Sequence, residues 1–215
     1  MIKKYKGTLI FTSLTMLLPI LVGLLLWDKL PEQVPFHWGI NGEVDAWTNK
    51  TQAVFFMPCL MLGMHWVCIL ASFVDPKSAN YNQKSFLLVL WICPVINLLL
   101  NTLVYATALG YAINVEIILP LFMGVLFLLI GNYLPKCKQS YTLGIKLPWT
   151  LHNEENWNKT HRFSGKVWVT GAIVILATAF LGSFWILLGV LIVMVALPTI
   201  YSYCLHRKQV RGETE

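Results

Sequence analysis

The chain has 215 residues, of which 57% are hydrophobic and only 12% are charged, and its mean hydropathy is +0.64. These values exclude a soluble globular protein, in which about a quarter of the residues are charged. The net charge of +6 does not indicate nucleic-acid binding, because the sixteen basic residues are separated by long apolar windows and cannot gather on one surface. The long apolar windows predict an integral membrane protein.

Six windows are long and apolar enough to cross a bilayer as helices, since about 20 residues span its hydrocarbon core. They lie at residues 7–27, 51–74, 85–109, 115–134, 164–181 and 183–205. The first window follows three lysines, as in a signal peptide, but it is too long and lacks a cleavage site, so we expect a retained span. Gly182 and Ser183 predict a tight turn that makes the last two windows an antiparallel pair, with a single long helix as the alternative.

The connection between the first two windows, residues 28–50, predicts a short β-hairpin. Asn41 and Gly42 form its turn signal, because both tolerate the positive φ angles of a type I′ turn. The expected pairs are Ile40 with Glu43, Gly39 with Val44, Trp38 with Asp45, His37 with Ala46 and Phe36 with Trp47. His37 then points away from Asp45, which argues against a metal chelate by this pair unless a bulge at Gly39 reverses the alternation.

The predicted hairpin has two interpretations. Its aromatic side chains can belong to the interfacial belt of a membrane protein, with solvated acidic side chains beside them. Alternatively, Phe36, Trp38 and Trp47 form, with Glu43 and Asp45, a recognition surface for a cationic or amphipathic ligand arriving from outside. The ligand-facing residues are then His37, Trp38, Asn41, Gly42 and Asp45.

A few polar side chains fall within the predicted spans. Asn97, Asn101 and Tyr105 recur every four residues and share one helix face, where hydrogen bonds to neighbouring helices can satisfy them. His65 is the one titratable residue deep in a span; it is interpreted as a hydrogen-bonded interior histidine, with pH sensing or ligand binding as the alternative. Asn132 is a further intramembrane polar residue. No basic residue lies in the middle of a span, so ion-coupled transport has little support.

The connection between the fourth and fifth windows, residues 135–165, predicts a second ordered segment. Pro148 cannot continue a helix, whereas Thr150 or Asn153 can cap a new one through Glu154 to Arg162. We expect this helix to lie on the inner leaflet, anchored by tryptophans, Trp149 and Trp157. It is either a basic membrane-surface linker or a docking surface or gate for a cytoplasmic partner.

The distribution of basic residues predicts the orientation. With the N-terminus in the cytoplasm, fourteen Lys and Arg residues lie inside and only Lys29 and Lys50 lie outside, which places both chain ends inside. The five cysteines avoid the outer loops, so no disulfide framework is expected. Catalytic motifs, paired carboxylates and metal-ligand spacings are missing from the sequence, so we predict neither an enzyme nor a metal or cofactor.

Two stretches resemble the SdpI-type bacterial immunity family. The first is Leu30-Pro31-Glu32-Gln33-Val34-Pro35-Phe36-His37-Trp38, followed by Asn41-Gly42 and Asp45. The second is Gly131-Asn132-Tyr133-Leu134-Pro135 and Gly144-Ile145-Lys146-Leu147-Pro148-Trp149-Thr150-Leu151, with Trp157, Thr160, His161 and Arg162. Lys146-Leu147 departs from the Arg-Thr that is more typical of the family, and lysine loses the planar bidentate bonding of arginine.

The resemblance implies a multi-pass protein of the bacterial cytoplasmic membrane that protects its producer from a secreted, membrane-active peptide toxin. It also implies that some members draw a cytoplasmic repressor to the membrane. The chain would comprise an N-terminal unit similar to the DUF1648 domain, residues 1–74, and a four-span unit, residues 75–215. The residues implied to face a cytoplasmic partner are Gly144, Lys146, Pro148, Trp149, Thr150, Trp157, Thr160, His161 and Arg162.

Two other functions remain open from the sequence. The spans can form a transporter or channel for a small solute, with His65, Asn97 and Asn101 along its path. A membrane-embedded hydrolase using His161 or His65 is the third possibility.

Overall fold

The computed structural model describes residues 2–78, 81 and 83–212. Its helices and strands are α1 (Ile2–Leu25), β1 (Gln33–Trp38), β2 (Val44–Asn49), α2 (Met57–Val74), α3 (Gln83–Ala108), α4 (Val115–Tyr133), α5 (Pro148–His152), α6 (Glu154–Thr178) and α7 (Phe184–Val210). Within the described residues, each of these helices except the short α5 is long and apolar enough to cross a membrane, and α2 is extended at its start by a π-helical turn, Gln52–Phe56. The predicted fold class, six membrane-spanning helices with a small antiparallel hairpin, is confirmed.

The fifth spanning helix begins ten residues earlier than the predicted window. The segment from Glu154 to Arg162, expected as a separate interfacial helix, is the first part of α6 and continues without a break to Thr178. Asn153 caps it, as predicted, by accepting a hydrogen bond from the Asn156 backbone N–H at 2.9 Å. The helix continues because its buried residues recur with helical spacing across the expected boundary: Trp157, Thr160, His161 and Ser164.

The chain forms two compact units. The first contains Met1–Val74 and Phe86–Val115, and the second contains Asp75–Ser85 and Glu116–Glu215. The division at residue 74, drawn from the sequence motifs, stays a prediction about domains.

Polar contacts hold the helices of the first unit together. Asn97 Nδ2 on α3 donates to the backbone oxygen of Met16 at 3.0 Å, and the Tyr105 hydroxyl donates to that of Pro19 at 3.0 Å. Asn101 Nδ2 bonds back to the Asn97 backbone oxygen at 2.8 Å. The interhelical bonding predicted for this face is therefore present for Asn97 and Tyr105. Asn101 instead bonds within its own helix, and its Nδ2 also donates to Asn97 Oδ1 at 3.0 Å, which orients the Asn97 side chain.

His65 is fully buried on α2 in the same unit. Its Nε2 lies 3.3 Å from the Thr12 hydroxyl of α1, as expected for an interior histidine. Its Nδ1 has no hydrogen-bond partner among the described residues.

An antiparallel pair of helices, α6 and α7, dominates the second unit. The chain reverses through a 3₁₀ turn at Ala179–Leu181 and a left-handed Gly182 with φ of +58°. Trp168 Nε1 on α6 donates to the Met194 backbone oxygen on α7 at 3.0 Å. The predicted tight turn is confirmed over the single long helix. Asn132, on α4, is exposed.

Candidate functional site

The turn of the hairpin is a three-residue loop. The Gly42 N–H donates to the Gly39 oxygen at 3.0 Å, and the Gly39 N–H donates to the Glu43 oxygen at 2.8 Å. Gly42 has a φ of +69°, whereas Asn41 does not have a positive φ. The hairpin is confirmed, but the predicted type I′ turn is wrong, because that turn needs a positive φ at both positions.

The strand register brings His37 and Asp45 together. His37 pairs with Ala46 as predicted, but Trp38 pairs with Val44 and the register shifts on both sides of His37. His37 Nδ1 consequently lies 2.6 Å from Asp45 Oδ1, so the expectation that these side chains point to opposite faces is wrong. The cause is an extra residue in each strand, Phe36 in β1 and Asp45 in β2, which reverses the alternation locally.

The base of the hairpin is anchored to the helices of the first unit, to which the hairpin also belongs. Lys50 is buried, and its Nζ lies 2.9 Å from Glu32 Oε1 and 4.8 Å from the centre of the Trp27 ring. Leu30 and Val34 join a core cluster with Ala53, Val54 and Tyr105. One of the two basic residues predicted outside is thus neutralised within the protein.

The exposed part of the hairpin combines acidic and apolar side chains. We call it the hairpin surface and define it by the exposed residues from Phe36 to Trp47, which are Phe36, His37, Ile40, Asn41, Glu43, Asp45 and Trp47. Residues 33–49 contain no Lys or Arg. Trp47 is 56% exposed, although its side chain is large and apolar. Trp38, predicted to face a ligand, is half-buried, and Gly42 shapes the turn.

His161 joins the inner connection to α6. Its Nδ1 donates to the Trp157 backbone oxygen at 2.8 Å, and its Nε2 accepts from the Ile145 backbone N–H at 2.9 Å. Since the first partner only accepts and the second only donates, these two bonds require the neutral ring with hydrogen on Nδ1. The ring also stacks on Trp157 with centroids 4.0 Å apart. Both ring nitrogens of His161 are therefore used in hydrogen bonds to the backbone, and neither is free for catalysis.

Gly144 lies where no other residue fits. Its φ is +108°, and a Cβ atom there would collide with His161 Nε2 and lie 2.8 Å from Cζ2 of Trp157. Trp157 is fully buried and donates from Nε1 to the Cys137 oxygen at 2.8 Å. Trp157 consequently packs inside the unit, and the expectation that it anchors a helix on the membrane surface is wrong.

Thr150 closes the turn before α5. Its hydroxyl oxygen accepts from the Leu147 N–H at 2.9 Å and lies 3.0 Å from the Ile145 oxygen, to which it can donate. Pro148 begins α5, where a missing N–H costs nothing. Gln139 Nε2 donates to the backbone oxygens of Thr150 and Leu151 at 2.8 and 2.9 Å. These bonds hold the inner connection in one conformation.

A hydrogen-bonded group joins this connection to α7. Trp149 Nε1 donates to the Ser202 hydroxyl at 2.9 Å, and that hydroxyl donates to Asn156 Oδ1 at 2.9 Å. Thr160 also donates to Asn156 Oδ1, at 3.0 Å. Asn156 and Ser202 are fully buried, and neither was identified from the sequence. In the sequence, both residues could have been noticed as polar positions that interrupt the apolar face of their helices.

Two charged residues of the second motif lie on the protein surface. Lys146 and Arg162 are exposed, and neither forms an ion pair with any residue that the structure describes. Most other motif residues hold the inner connection in place, so a partner on this side would meet mainly these two charges.

Asp75 is the main structural residue that was not identified from the sequence. It is 4% exposed, and its Oδ2 accepts from the Tyr81 hydroxyl at 2.6 Å and from the Tyr141 and Thr142 backbone N–H groups at 2.9 and 3.0 Å. Oδ1 accepts from the Lys77 N–H at 2.8 Å. Burial raises the pKa of this carboxyl, but the hydrogen bonds outweigh it, and the pKa lies below its usual value. In the sequence, Asp75 could have been noticed as an acidic residue on the side of the membrane where basic residues were predicted to predominate.

The comparisons with known proteins cover both motif regions. Residues 136–202 match the model of the SdpI/YfhL protein family, and residues 14–62 match the domain of unknown function DUF1648. The chain is 28% identical over 209 residues to Immunity protein SdpI of Bacillus subtilis (strain 168), covering 93% of this chain and 96% of that protein. No solved structure matches.

Proposed function

Because these matches confirm the SdpI-type family predicted from the two motifs, we propose that this membrane protein is an immunity protein. It would lie in the bacterial cytoplasmic membrane and protect its producer from a secreted, membrane-active peptide toxin. The similarity to a protein named as an immunity protein extends over nearly all of both chains, which supports this function.

The hairpin surface is the proposed contact for the toxin. Its acidic side chains, Glu43 and Asp45, favour a cationic ligand, and Trp47 and Phe36 supply apolar contact area. The observation that carries this proposal is the exposure of these aromatic residues on a hairpin whose base is anchored by Lys50 and Glu32. A rigid surface loses little conformational entropy when a ligand binds.

The inner connection is the proposed contact for a cytoplasmic repressor. Lys146 and Arg162 would bind an acidic surface of that protein, and the ordered loop would present both charges. On this proposal the N-terminal unit, residues 1–74, receives the toxin and the four-span unit, residues 75–215, carries the signal. The chain would act by binding, without catalysis.

A solute path has less support from the same contacts. Asn97 and Tyr105 donate to backbone oxygens of α1, and Asn101 orients Asn97, so these polar groups are already used in helix packing. The transporter interpretation therefore stays the alternative.

Trp47→Ala should weaken protection of toxin-challenged cells by at least tenfold, because truncating a tryptophan that acts as a binding hot spot costs about 2 kcal/mol or more of binding energy. The measurement is the toxin concentration that halves growth of sensitive cells expressing each variant at equal membrane level. Trp185→Ala is the matched control, since Trp185 is also well exposed, at 69%, but lies at the start of α7. His37→Ala, Asp45→Ala and Trp149→Ala extend the test to both motifs. Failure of the wild type to protect despite normal insertion would refute the immunity function.

The proposed orientation makes a separate prediction. A cysteine in the hairpin, Asn41→Cys, should react with a membrane-impermeant maleimide in intact cells, beyond the background of the wild type. Lys208→Cys, near the end of α7, should react only after the membrane is permeabilised. The opposite pattern would reverse the positive-inside assignment.

A further inference from the structure

A groove of about 410 Å³ runs between α6 and α7. It is lined by apolar side chains of both helices and by two glycines, Gly171 and Gly189, and Lys166 is its one charged lining residue. A Cβ atom on Gly189 would meet nothing within 4 Å, so the groove is open at this point. Both helices are long and apolar enough to span the membrane, and the lining residues Val174, Val193 and Leu197 are exposed, so the groove faces the bilayer.

Lys166 enters the groove at a depth where a cation needs an anionic partner. From Lys166 to Leu181, the end of the apolar stretch, α6 and the 3₁₀ turn after it rise about 24 Å, which is less than the roughly 30 Å of hydrocarbon. On α7, the lining residue Leu197 is followed by about 12 Å of helix before the apolar stretch ends at Leu205. The Lys166 ammonium must therefore extend toward the headgroups or bind an anion there.

The protein supplies no such anion in the described ranges. Lys166 is exposed and forms no ion pair, and Arg162, one helical turn earlier on the same face, is likewise exposed and unpaired. Lys159 differs, because Glu155 holds its Nζ at 2.6 Å. Two unpaired cations thus mark one end of an apolar groove.

We propose that this groove binds an anionic phospholipid of the surrounding bilayer. The lipid phosphate contacts Lys166 and Arg162, and one acyl chain lies along the groove past Gly189. A second copy of the chain fits less well, because a symmetric contact through this groove would bring like charges of the two copies together without a counter-charge.

The test is lipid binding to the purified full chain, delipidated in mild detergent and titrated with phosphatidylglycerol or phosphatidylcholine of identical chains, read by native mass spectrometry. The wild type should prefer phosphatidylglycerol by at least fivefold. Lys166→Gln should weaken phosphatidylglycerol binding about fivefold and leave phosphatidylcholine unchanged, as expected for the loss of one cation near a lipid headgroup. Gly189→Leu should weaken both lipids, because the side chain fills the groove.

Two controls separate this site from general effects. Lys208→Gln removes an exposed charge near the end of α7, outside the groove, and Gly63→Leu fills open space on α2. Both should bind phosphatidylglycerol like the wild type. Equal binding of the two lipids, equal losses for Lys166→Gln and Lys208→Gln, or a wild-type dimer that Gly189→Leu dissociates would each overturn the proposal.

Discussion

Gly144→Ala should lower the free energy of unfolding of the second compact unit by about 3–5 kcal/mol. Two costs add at this position. A backbone with a φ of +108° is strained for any residue with a Cβ atom, and that atom would collide with His161 Nε2 and the Trp157 ring. Relief of the collision requires breaking the bond from the Ile145 N–H to His161, which is the main contact between the inner connection and α6 at this point.

Gly110→Ala is the matched control, because Gly110 also has a positive φ, of +85°, but open space around its Cα. It should cost only about 1 kcal/mol, the strain of the backbone alone. The measurement is the apparent midpoint of thermal unfolding of each purified variant in the same detergent at the same scan rate. Equal shifts for the two variants would show that the contact of Gly144 with His161 and Trp157 contributes nothing.

The same variant separates structure from recognition in the second motif. If the motif acts by holding the inner connection, Gly144→Ala should lose protection together with stability. Lys146→Gln and Arg162→Gln, at exposed positions, should keep stability. Lys146→Gln should change only the binding of a cytoplasmic partner, whereas Arg162→Gln should also weaken binding of the anionic lipid. Loss of stability in both exposed variants would contradict this division.

The spanning helices were predictable because their signal is local. A helix in hydrocarbon satisfies its own backbone, so an apolar window of sufficient length is enough to identify it. The hairpin was predictable for a similar reason, since Asn41 and Gly42 mark its turn within four residues. The side-chain contact between His37 and Asp45 was not predictable, because it depends on one extra residue in each strand. No residue type at Phe36 or Asp45 demands a bulge.

The second motif shows that a sequence can identify important residues without revealing their role. It identified Trp157, Thr160 and His161, but a motif does not reveal whether its residues meet a partner or hold each other. Trp157 was expected at the membrane surface on composition, and it is buried because Gly144 leaves room for its ring against the inner connection. The first part of α6 was expected as a separate helix because its surface is polar, although its buried face is continuous with that of the span.

Asp75 was overlooked because its partners are distant in sequence. Tyr141 and Thr142 follow it by more than sixty residues, and only the fold brings their N–H groups to its carboxylate. The Thr142 hydroxyl adds a further bond at 2.8 Å, and Tyr81 contacts both Asp75 and Thr142. One carboxylate therefore joins the segment after α2 to the inner connection.

Asp75→Asn should accordingly destabilise the second unit by about 3 kcal/mol. The amide is neutral, and its NH₂ group would face hydroxyl and N–H donors whose hydrogen bonds the carboxylate accepts. Asp28→Asn is the matched control, since Asp28 is exposed on the segment before the hairpin. The apparent unfolding midpoint at pH 7 is the measurement. A shift for Asp75→Asn no larger than for Asp28→Asn would mean that these hydrogen bonds do not stabilise the folded unit.

The pH dependence tests the same carboxylate without changing its shape. Because the folded pKa of Asp75 lies below its unfolded value of about 4, the carboxylate contributes its full stability above that value. The contribution declines as the pH falls below about 4 toward the folded pKa. The difference in midpoint between wild type and Asp75→Asn should therefore be constant from pH 7 to 5 and should shrink at lower pH. A difference that grows on acidification would mean that the folded protein raises this pKa, and would contradict the hydrogen-bonded arrangement around Asp75.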